Sequence, residues 1–401
     1  MNIGFVATES PYDNGHGAGI AAYLRAMIPP LLSAGHRVTL FAAAEETGDF
    51  EAENGGVRVH HRRLPAAHWY LSKVPVLKRL AVLPLRQLEW SLAFYRQVSL
   101  VAAREKIDVL ECGESGSLFL QSIAPLVIRL HGSEFAFRKH SGLALDLSVR
   151  GNDLLEAYSS NRAAAITTPS QYQANEIVKR RGWKSNRVRV IPNPISTDVW
   201  QAAAEPFRNG NVERIVFYAG RLAPVKGIAV LLKTAKRVHD DDSNTTFVLA
   251  GPWQMPEPPA AYGLELNRKS ADGVLWLGPL KPSELHSWYK RAMLFVMPSY
   301  FESFGISVVE AMAFGVPVVC TRAGAIPETV DDGVTGIIVE PGDAAQLAES
   351  ISRLLADDTL RKSMGHAAKE KVLRDFDPLK VIEQNLELYR HASGSFANSV
   401  N

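Results

Sequence analysis

The segment "RIVFYAGRLAPVKGIAVLLKTAKRV", residues 214–238, contains a strand, a glycine-bearing loop and a helix in immediate succession. Its β-branched and aromatic residues form a short strand-like run up to Ala219, and apolar residues recur at helical spacing after Gly227. This order of elements is the repeating unit of parallel α/β domains. We therefore predict a doubly wound α/β sheet that begins at Arg214.

The first residues of the chain repeat the same order of elements in "NIGFVATESPYDNGHGAGIAAYL", residues 2–24. Short β-rich runs alternate with helical periods along both halves, so we predict two doubly wound units in tandem. The predicted strands are "NIGFVA", "RVTLFAA", "VRVHH", "DVLEC", "LVIRL" and "AAITTP" in the first half, and "RIVFYAG", "TTFVLAG", "VLWLG", "LFVMP", "PVVCT" and "GIIVE" in the second.

The length of 401 residues also favours two domains, because it exceeds what one hydrophobic core usually serves. The prolines of "VRVIPNPISTDVW", residues 188–200, interrupt the pattern between the halves. We predict a first domain at 1–195 and a second at 196–377. We expect the terminal helix, about 378–401, to pack on the first domain.

Tandem units of this kind can place the carboxyl ends of two sheets face to face across a cleft, and ligands bind at such ends. Neither first loop fits the dinucleotide-binding pattern G-x-G-x-x-G, and no suitably placed acid follows a second strand. The sequence therefore argues against a nicotinamide dehydrogenase.

The composition is that of a soluble globular protein, with 46% hydrophobic and 21% charged residues and a formal net charge of +2. Two distant cysteines, Cys112 and Cys320, lack metal-ligand spacing, which suits a reducing compartment. The first residues do not resemble a signal peptide, and no apolar run is long enough to span a membrane. We expect a cytoplasmic protein with no nucleic-acid partner.

The loop "AGRLAPVKG", residues 219–227, carries features of an anion site. Arg221 and Lys226 lie between a strand and the N-terminus of a helix, where unpaired N–H groups and the helix dipole favour negative charge. A solvated Arg and Lys on a loop is the alternative. Because both cations occur in a strand-to-helix turn, we favour a phosphate site, which a second helix N-terminus at Gly305, Ile306 and Ser307 can also serve.

Two carboxylates, Glu302 and Glu310, occur in the largely apolar stretch "PSYFESFGISVVEAM", residues 298–312. Ser307 and Glu310 fit a capping box, in which Glu310 would only satisfy backbone donors and Glu302 would be a solvated loop acid. Alternatively, carboxylates accept hydrogen bonds from diols, so Glu310 can bind a ribose and Glu302 a sugar.

These motifs resemble the family-four retaining glycosyltransferases, which have the GT-B fold of two Rossmann-like domains. The family's Glu-x7-Glu pair is met by Glu302 and Glu310, and its Arg…Lys loop by Arg221 and Lys226. Further matches are "LHGSE" from 130, "IPNP" from 191 and "VLWLGPLKPSELHSWYKRAMLFVMPS" before the acids. The similarity covers essentially the whole chain.

The resemblance implies a nucleotide-sugar donor, a UDP- or GDP-sugar, bound mainly by the second domain. Arg221 and Lys226 should then hold the diphosphate, and Glu310 the ribose. The sugar should be held by Glu302 and by the backbone of Phe304 and Gly305.

The resemblance also assigns two residues of the first domain. Gly19 matches a family glycine that approaches the phosphate, and His131 matches a histidine near the transferred sugar. Alone, His131 would more often be a satisfied core or loop histidine, but it directly follows the apolar strand "LVIRL" at a predicted carboxyl end.

The chain departs from the family pattern at three places. Ala18-Gly19 stands where the family has Gly-Gly, His131-Gly132 where it often has His-Asp, and Asn193-Pro194 where it usually has Asn-Gly. These positions lie mostly in the domain that handles acceptors, so the acceptor side is where we expect this chain to differ.

The implied reaction is hexosyl transfer with retention of configuration, by front-face attack within an ion pair, and without a metal or cofactor. Fixed cations and helix ends would stabilise the leaving diphosphate. The acids at 240–242 are read as a solvated turn rather than a metal site.

Residues 55–106 are basic and rich in aromatic and leucine side chains, opposed only by Glu89 and Glu105. The basic residues are Arg58, Arg62, Arg63, Lys73, Lys78, Arg79, Arg86, Arg96, Arg104 and Lys106. Such a segment can lie on an anionic membrane, at the inner face of which a lipid-linked acceptor of surface-glycan assembly would be found. A packed helical insertion with solvated charges, and a soluble acceptor, stay open.

Two other classes of function stay open. One is different GT-B chemistry, such as a sugar-nucleotide epimerase or a phosphorylase. The intact pair of Glu302 and Glu310 argues against the epimerase, and no lysine context suggests a pyridoxal cofactor. The other is a non-catalytic subunit that binds a nucleotide sugar, which the intact donor residues disfavour.

Overall fold

The computed structural model describes residues 1–12, 19–43, 50–204 and 214–400. The chain forms two compact units. Unit 1 contains the described residues up to Pro192 and those from Pro378 onward, and unit 2 contains Asn193–Asp377. The chain therefore leaves unit 1 after Pro192 and returns to it at Pro378.

Unit 1 is built on one eight-stranded sheet. Its strands are β1 (Asn2–Ala7), β2 (Arg37–Ala43), β3 (Phe50–Asn54), β4 (Val57–Arg62), β5 (Val109–Cys112), β6 (Leu126–Arg129), β7 (Ala165–Thr168) and β8 (Val188–Val190). They lie in the order β3-β4-β2-β1-β5-β6-β7-β8, and only β3 with β4 is antiparallel. The sequence predicted all but the two edge strands, β3 and β8. The first is polar and the second is three residues long, so neither shows a clear apolar run.

Helices cover this sheet and connect its strands. They are α1 (Gly19–Ser33), α2 (Ala67–Ser72), α3 (Pro75–Leu80), α4 (Val82–Ala102), α5 (Glu134–His140), α6 (Leu147–Arg162) and α7 (Gln171–Arg181). The strands β1, β5, β6 and β7 are buried along their whole length, as expected for a parallel sheet with helices on both faces.

Unit 2 is built on a six-stranded sheet in which every pair is parallel. Its strands are β9 (Arg214–Ala219), β10 (Thr245–Ala250), β11 (Val274–Trp276), β12 (Leu294–Met297), β13 (Val318–Thr321) and β14 (Gly336–Val339). Their order is β11-β10-β9-β12-β13-β14, so the direction of winding reverses between β9 and β12. Every strand predicted in this half is present, and the predicted fold class of two doubly wound α/β units is confirmed.

The helices of unit 2 are α8 (Thr197–Ala204), α9 (Ile228–Asp241), α10 (Pro282–Arg291), α11 (Ile306–Ala313), α12 (Ile326–Thr329), α13 (Ala344–Ala356) and α14 (Asp358–Asp375). Phe217, Phe247 and Phe295 from three neighbouring strands are fully buried between these layers. Within the described ranges, every helix of the chain is too short or too polar to traverse a lipid bilayer.

The last helix, α15 (Pro378–Val400), belongs to unit 1. It buries Val381, Ile382 and Leu386 in the same core as β1. Tyr389 donates a hydrogen bond of 2.6 Å to the buried carboxylate of Glu111 on β5. Apolar burial and this bond attach α15 to the sheet.

The loops after β9 and β12 meet through their backbones. Tyr300 N donates to Val225 O at 2.7 Å, and Gly227 sits against Pro298 with a φ of +70°. A Cβ atom on Gly227 would lie 1.9 Å from Pro298 O, which no side chain can tolerate. Only glycine permits this approach.

We predict that Gly227→Ala destabilises the protein by about 3 kcal/mol or more, because it adds a backbone clash to the strain of a positive φ. Gly333→Ala is the matched control. Gly333 has a similar φ of +76°, but a Cβ atom there would meet nothing within 4 Å, so only strain of about 1 kcal/mol is expected. Urea unfolding monitored by circular dichroism compares the two, and equal losses would contradict the clash.

Candidate active site

The winding of the unit 2 sheet reverses between β9 and β12, and this crossover positions the predicted donor residues. Arg221 and Lys226 follow β9, while Glu302 and Gly305 follow β12. Ligands of doubly wound sheets bind outside the carboxyl ends of the strands at such a point. The fold therefore brings both predicted motifs to the same place.

Lys226 and Glu302 form a direct ion pair there, with 2.7 Å between Lys226 Nζ and Glu302 Oε1. Ser299 Oγ donates to the same carboxylate oxygen at 2.7 Å. Glu302 is only 7% exposed, so its charge needs these partners. Among the described residues, Glu302 Oε2 has no hydrogen-bond partner, which suits it to accept from a ligand hydroxyl.

Two helix N-termini border this ion pair, and both begin at a glycine. Gly227 precedes α9 and Gly305 precedes α11, each with a positive φ and without a side-chain cap. The first-turn N–H groups of a helix have no intrahelical partner, and they favour an anion together with the helix dipole. Ile306 and Ser307 supply the first two residues of α11.

The alternative that Ser307 and Glu310 form a capping box is wrong. The N-cap of α11 is Gly305, so Ser307 already lies inside the helix and Glu310 lies beyond its first turn. Glu310 Oε2 instead accepts a hydrogen bond of 2.9 Å from the buried hydroxyl of Tyr289 on α10. This contact fixes a half-buried carboxylate near the start of α11.

Phe304 lies in the turn before α11. Its side chain is buried, and its ring packs edge-on against Phe376 with 5.4 Å between ring centroids. This packing fixes the turn that leads into Gly305. The prediction that a ligand meets the backbone of these residues, rather than the Phe304 ring, is compatible with this arrangement.

Arg221 is half-buried, and its backbone is fixed by a hydrogen bond of 2.8 Å from Tyr218 Oη to Arg221 O. Burial raises the pKa of Tyr218 well above its ordinary range, Glu302 raises it further, and Arg221 opposes the rise. The tyrosine therefore stays neutral and lies within the electrostatic reach of both charged groups.

The predicted residues of unit 1 are Gly19 on α1 and His131 after β6, and Ile20, next to Gly19, lines one cavity with His131. Gly19 is the exposed first residue of α1, and the preceding loop, including Ala18 of the Ala18-Gly19 departure, lies outside the described residues. His131 follows β6, with its ring 5.1 Å from that of Tyr23. Burial and the charge of Arg129 lower the pKa of His131 to about 3, so the imidazole is neutral at physiological pH.

A polar cavity of about 150 Å³ lies beside His131 at the carboxyl end of the unit 1 sheet. Arg86, Glu114, Asn152 and Glu156 contribute charged and polar groups to its wall. Glu114 accepts a hydrogen bond of 2.9 Å from Gly132 N, and Glu156 accepts one of 2.7 Å from Asn152 Nδ2. Sequence reasoning missed this cavity.

Two of the carboxyls that line the cavity, those of Glu114 and Glu156, have raised pKa values. Burial raises the pKa of Glu156 to about 8, with further contributions from Glu114 and Asp153 that Arg180 and Arg181 partly offset. Burial also raises the pKa of Glu114, against the hydrogen bond from Gly132 N. Glu156 is therefore largely protonated at neutral pH, and it can both donate and accept hydrogen bonds.

We predict that Glu156→Gln stabilises the protein, and increasingly so between about pH 5 and pH 8. The unfolded carboxyl ionises near 4.5 and the folded one near 8, so unfolding releases a proton in this window and wild-type stability falls as pH rises. Glutamine cannot ionise and keeps the oxygen that Asn152 needs, which removes a loss of at most about 1.4 kcal/mol per pH unit.

Urea unfolding at a series of pH values measures this effect. Glu383→Gln, at an exposed acid of α15, is the control and should follow the wild-type pH dependence. If Glu156→Gln also ran parallel to the wild type, Glu156 would have to be ionised in the folded protein.

The acids at 240–242 lie at the end of α9 and in the turn after it. Asp242 accepts a hydrogen bond of 2.8 Å from Thr245 Oγ1, and Asp240 lies 3.4 Å from Lys236 Nζ. Across the described ranges, no three His, Cys, Asp or Glu side chains are grouped so that they could hold a metal ion.

Comparison with known proteins identifies the family. The model described as Glycosyltransferase Family 4 matches residues 17–199, and the model described as Glycosyl transferases group 1 matches residues 202–371. An alpha-maltose-1-phosphate synthase of Mycobacterium tuberculosis is 33% identical over 226 residues, 51% of this chain and 57% of that protein. The matched region thus spans little more than half of this relative.

Solved structures share the fold. A sucrose-phosphate synthase from Thermosynechococcus elongatus superposes with a TM-score of 0.74 at 21% identity, covering 98% of this chain and 99% of that one. An Anabaena protein in complex with UDP and glucose superposes with a TM-score of 0.69 at 19% identity, covering 96% and 98%. Together the two family models account for most of the chain, which belongs to the family-four glycosyltransferases and has their GT-B fold.

Proposed function

We propose that the chain is a retaining hexosyltransferase that uses a nucleotide-diphosphate sugar, with UDP or GDP as the nucleotide. The observation that carries this proposal is the Lys226–Glu302 ion pair beside two glycine-capped helix N-termini. Cations and helix ends are suited to a diphosphate, and a buried carboxylate with an open oxygen is suited to a sugar hydroxyl. The Anabaena relative bound to UDP and glucose supports this class of donor.

In the proposed mechanism, Arg221, Lys226 and the N–H groups of α11 stabilise the negative charge that develops on the leaving diphosphate. Glu310, positioned by Tyr289, accepts hydrogen bonds from the ribose. Glu302 and the backbone of Phe304 and Gly305 orient the sugar.

His131 is the catalytic candidate of unit 1 in this proposal. Because its pKa is lowered to about 3, the imidazole would exchange hydrogen bonds with a sugar hydroxyl rather than act as a charged acid. We propose retention of configuration at the anomeric carbon, and we propose that no divalent cation takes part.

The acceptor in this proposal is a glycan, a glycolipid or a small molecule, as in the assembly of bacterial surface glycans. The polar cavity beside His131 supports a hydroxylated acceptor, since Asn152 and the protonated Glu156 can pair with hydroxyl groups. For a lipid-linked acceptor, the proposal includes a cytoplasmic protein in peripheral contact with an anionic membrane through residues 55–106.

The direct test incubates the protein with UDP- and GDP-sugars and a panel of acceptors, with and without EDTA. Transfer at the same rate with EDTA, and an α-glycoside by the anomeric proton coupling in NMR, are expected from an α-linked donor. Inverted product would contradict the retaining mechanism, and a rate abolished by EDTA and restored by Mg²⁺ would contradict metal independence.

We predict that Lys226→Ala and Arg221→Ala each weaken binding of UDP or GDP by about 1.5–3 kcal/mol, roughly 10- to 150-fold, because a charge-assisted phosphate contact is lost. Calorimetry measures this. Lys233→Ala, at an exposed position on α9, is the control that changes the charge without touching the site. Unchanged affinity in both site variants would rule out the assignment.

We predict that replacing the two acids by glutamine changes the affinity for free nucleotide in different ways. Glu310→Gln should weaken free UDP or GDP as well as the donor, because the ribose contact is present in both. Glu302→Gln should bind the free nucleotide as tightly as the wild type or more tightly, since the neutral amide no longer competes for Lys226. Its transfer rate should fall.

Calorimetry with free nucleotide and an assay of transfer separate these effects. Gln retains an oxygen for Tyr289 at position 310 and for Ser299 at position 302, so both variants should fold. If both bound free nucleotide like the wild type, the ribose role of Glu310 would be refuted.

A further inference from the structure

The surface formed by α2 and α3, residues 67–80, is apolar and unusually exposed. Each helix is six residues long, and neither contains a buried residue. Trp69 is 53% exposed, Tyr70 69% and Val76 65%, and Leu77 and Leu80 are exposed as well. Adjacent exposed apolar groups of this size mark an interaction site rather than an ordinary solvent-facing surface.

The charges on this α2–α3 surface are all positive. Lys73, Lys78 and Arg79 are exposed, and the sequence contains no Asp or Glu from residue 54 to residue 88. Lys73 Nζ lies 3.7 Å from the centroid of the Trp69 ring, so the cation and the aromatic ring are in contact on this surface. The surface combines insertable side chains with uncompensated positive charge.

Helix α6 packs beside α3, and its exposed face carries the same combination of apolar and cationic side chains. Leu147, Leu154 and Tyr158 are exposed at helical spacing, and the cations Arg150 and Arg162 are exposed with them. The acids of α6 are engaged elsewhere. Asp153 pairs with Arg181 at 2.7 Å, and Glu156 is buried in the polar cavity.

An anionic bilayer fits this combination better than a protein partner does. Trp and Tyr favour the interface between headgroups and acyl chains, and each Lys or Arg near the surface is attracted to anionic lipid. Short apolar and cationic helices that lie in the interface plane use both effects. A second copy of the chain would instead bring like charges together.

We propose that the α2–α3 surface, together with the exposed face of α6, docks on an anionic membrane and inserts Trp69, Val76 and Leu77. This proposal rests on the proposed function for its purpose, the supply of a lipid-linked acceptor, but not for its physical basis. The proposed function assigned the membrane contact to residues 55–106 as a whole, whereas this proposal assigns it to the α2–α3 surface and the exposed face of α6. It also adds the insertion of apolar side chains to the attraction between charges.

The proposal separates two contributions that respond differently to salt. Attraction by exposed charges is screened within about 8–10 Å at physiological ionic strength. Insertion of apolar side chains is not screened. The full chain should therefore bind vesicles of equal parts phosphatidylglycerol and phosphatidylcholine, lose part of this binding as NaCl rises, and keep the remainder.

The insertion step is tested with Val76→Ser/Leu77→Ser in vesicle co-sedimentation. This variant should lose about tenfold in affinity, including the part that resists salt. Val334→Ser/Leu373→Ser is the matched control, with an exposed valine and an exposed leucine of unit 2, and should bind like the wild type. Brominated lipids should also quench a fluorescence component that Trp69→Phe removes.

The charge contribution is tested with Lys78→Glu/Arg79→Glu. It should lower affinity for anionic vesicles by more than about tenfold at low salt, and hardly change the weak binding to pure phosphatidylcholine. Arg237→Glu/Lys269→Glu, at exposed positions of unit 2, changes the net charge equally and should have little effect. If the control lost as much affinity for the vesicles, the net charge of the protein would explain the binding, and the proposal would be overturned.

Two further outcomes would also overturn it. One is a wild-type chain that ignores anionic vesicles at low salt. The other is a chain that self-associates in solution and becomes monomeric in Val76→Ser/Leu77→Ser, which would assign the surface to a second copy. All vesicle variants should keep wild-type UDP and GDP affinity, so failure of nucleotide binding in the wild type would refute the proposed function without affecting the membrane test.

Discussion

The site of unit 2 depends on close contacts between loop backbones that only glycine allows. A Cβ atom on Gly227 would lie 1.9 Å from Pro298 O, one on Gly251 would lie 2.0 Å from Gly220 O, and one on Gly324 would lie 2.1 Å from Glu302 O. These contacts join the loops that follow β9, β10, β12 and β13. They bring Lys226 and Glu302, 76 residues apart in sequence, to within 2.7 Å.

The short distance between Lys226 and Glu302 determines the electrostatics of the site. A carboxylate as buried as that of Glu302 is stable only beside a compensating charge, and Lys226 supplies it. The same lysine is the cation predicted to hold a diphosphate. A ligand phosphate and Glu302 would therefore share one ammonium group, so nucleotide affinity and the orientation of Glu302 are coupled in the proposed function.

Much of unit 2 could be predicted because its signals are local. The strand, loop and helix around Gly220 and Gly227 are adjacent in sequence, and the Glu302–Glu310 spacing falls within one turn and helix. The capping-box alternative failed because it requires Ser307 as the N-cap, whereas α11 begins directly after Gly305, the start that the predicted anion site had assumed. Tyr289 and Ser299 were missed for a related reason, since their roles depend on tertiary contacts with the two acids.

Unit 1 was less predictable because its polar groups come from distant segments. Glu114 lies two residues after a predicted strand, and this place near the carboxyl end of the strand could have marked it as a candidate site residue. Glu156 and Asn152, in contrast, lie four residues apart on a polar helix, which on sequence evidence resembles a solvated face. Only the packing of α6 shows that both are buried.

The buried guanidinium of Arg129 links the returning helix α15 to His131. Arg129 Nη2 donates to the carbonyls of Ile191 and Pro192 at 2.9 and 3.2 Å, and Nη1 donates to Asn385 on α15 at 3.4 Å. Its guanidinium lies 4.3 Å from the centroid of the Tyr23 ring, which in turn contacts His131. One cation thus contacts the residues after which the chain leaves unit 1, and its charge adds to the effect of burial in lowering the pKa of His131. Because Asn385 on α15 is one of the hydrogen-bond partners of Arg129, the return of the chain to unit 1 helps to hold this cation in place beside Tyr23.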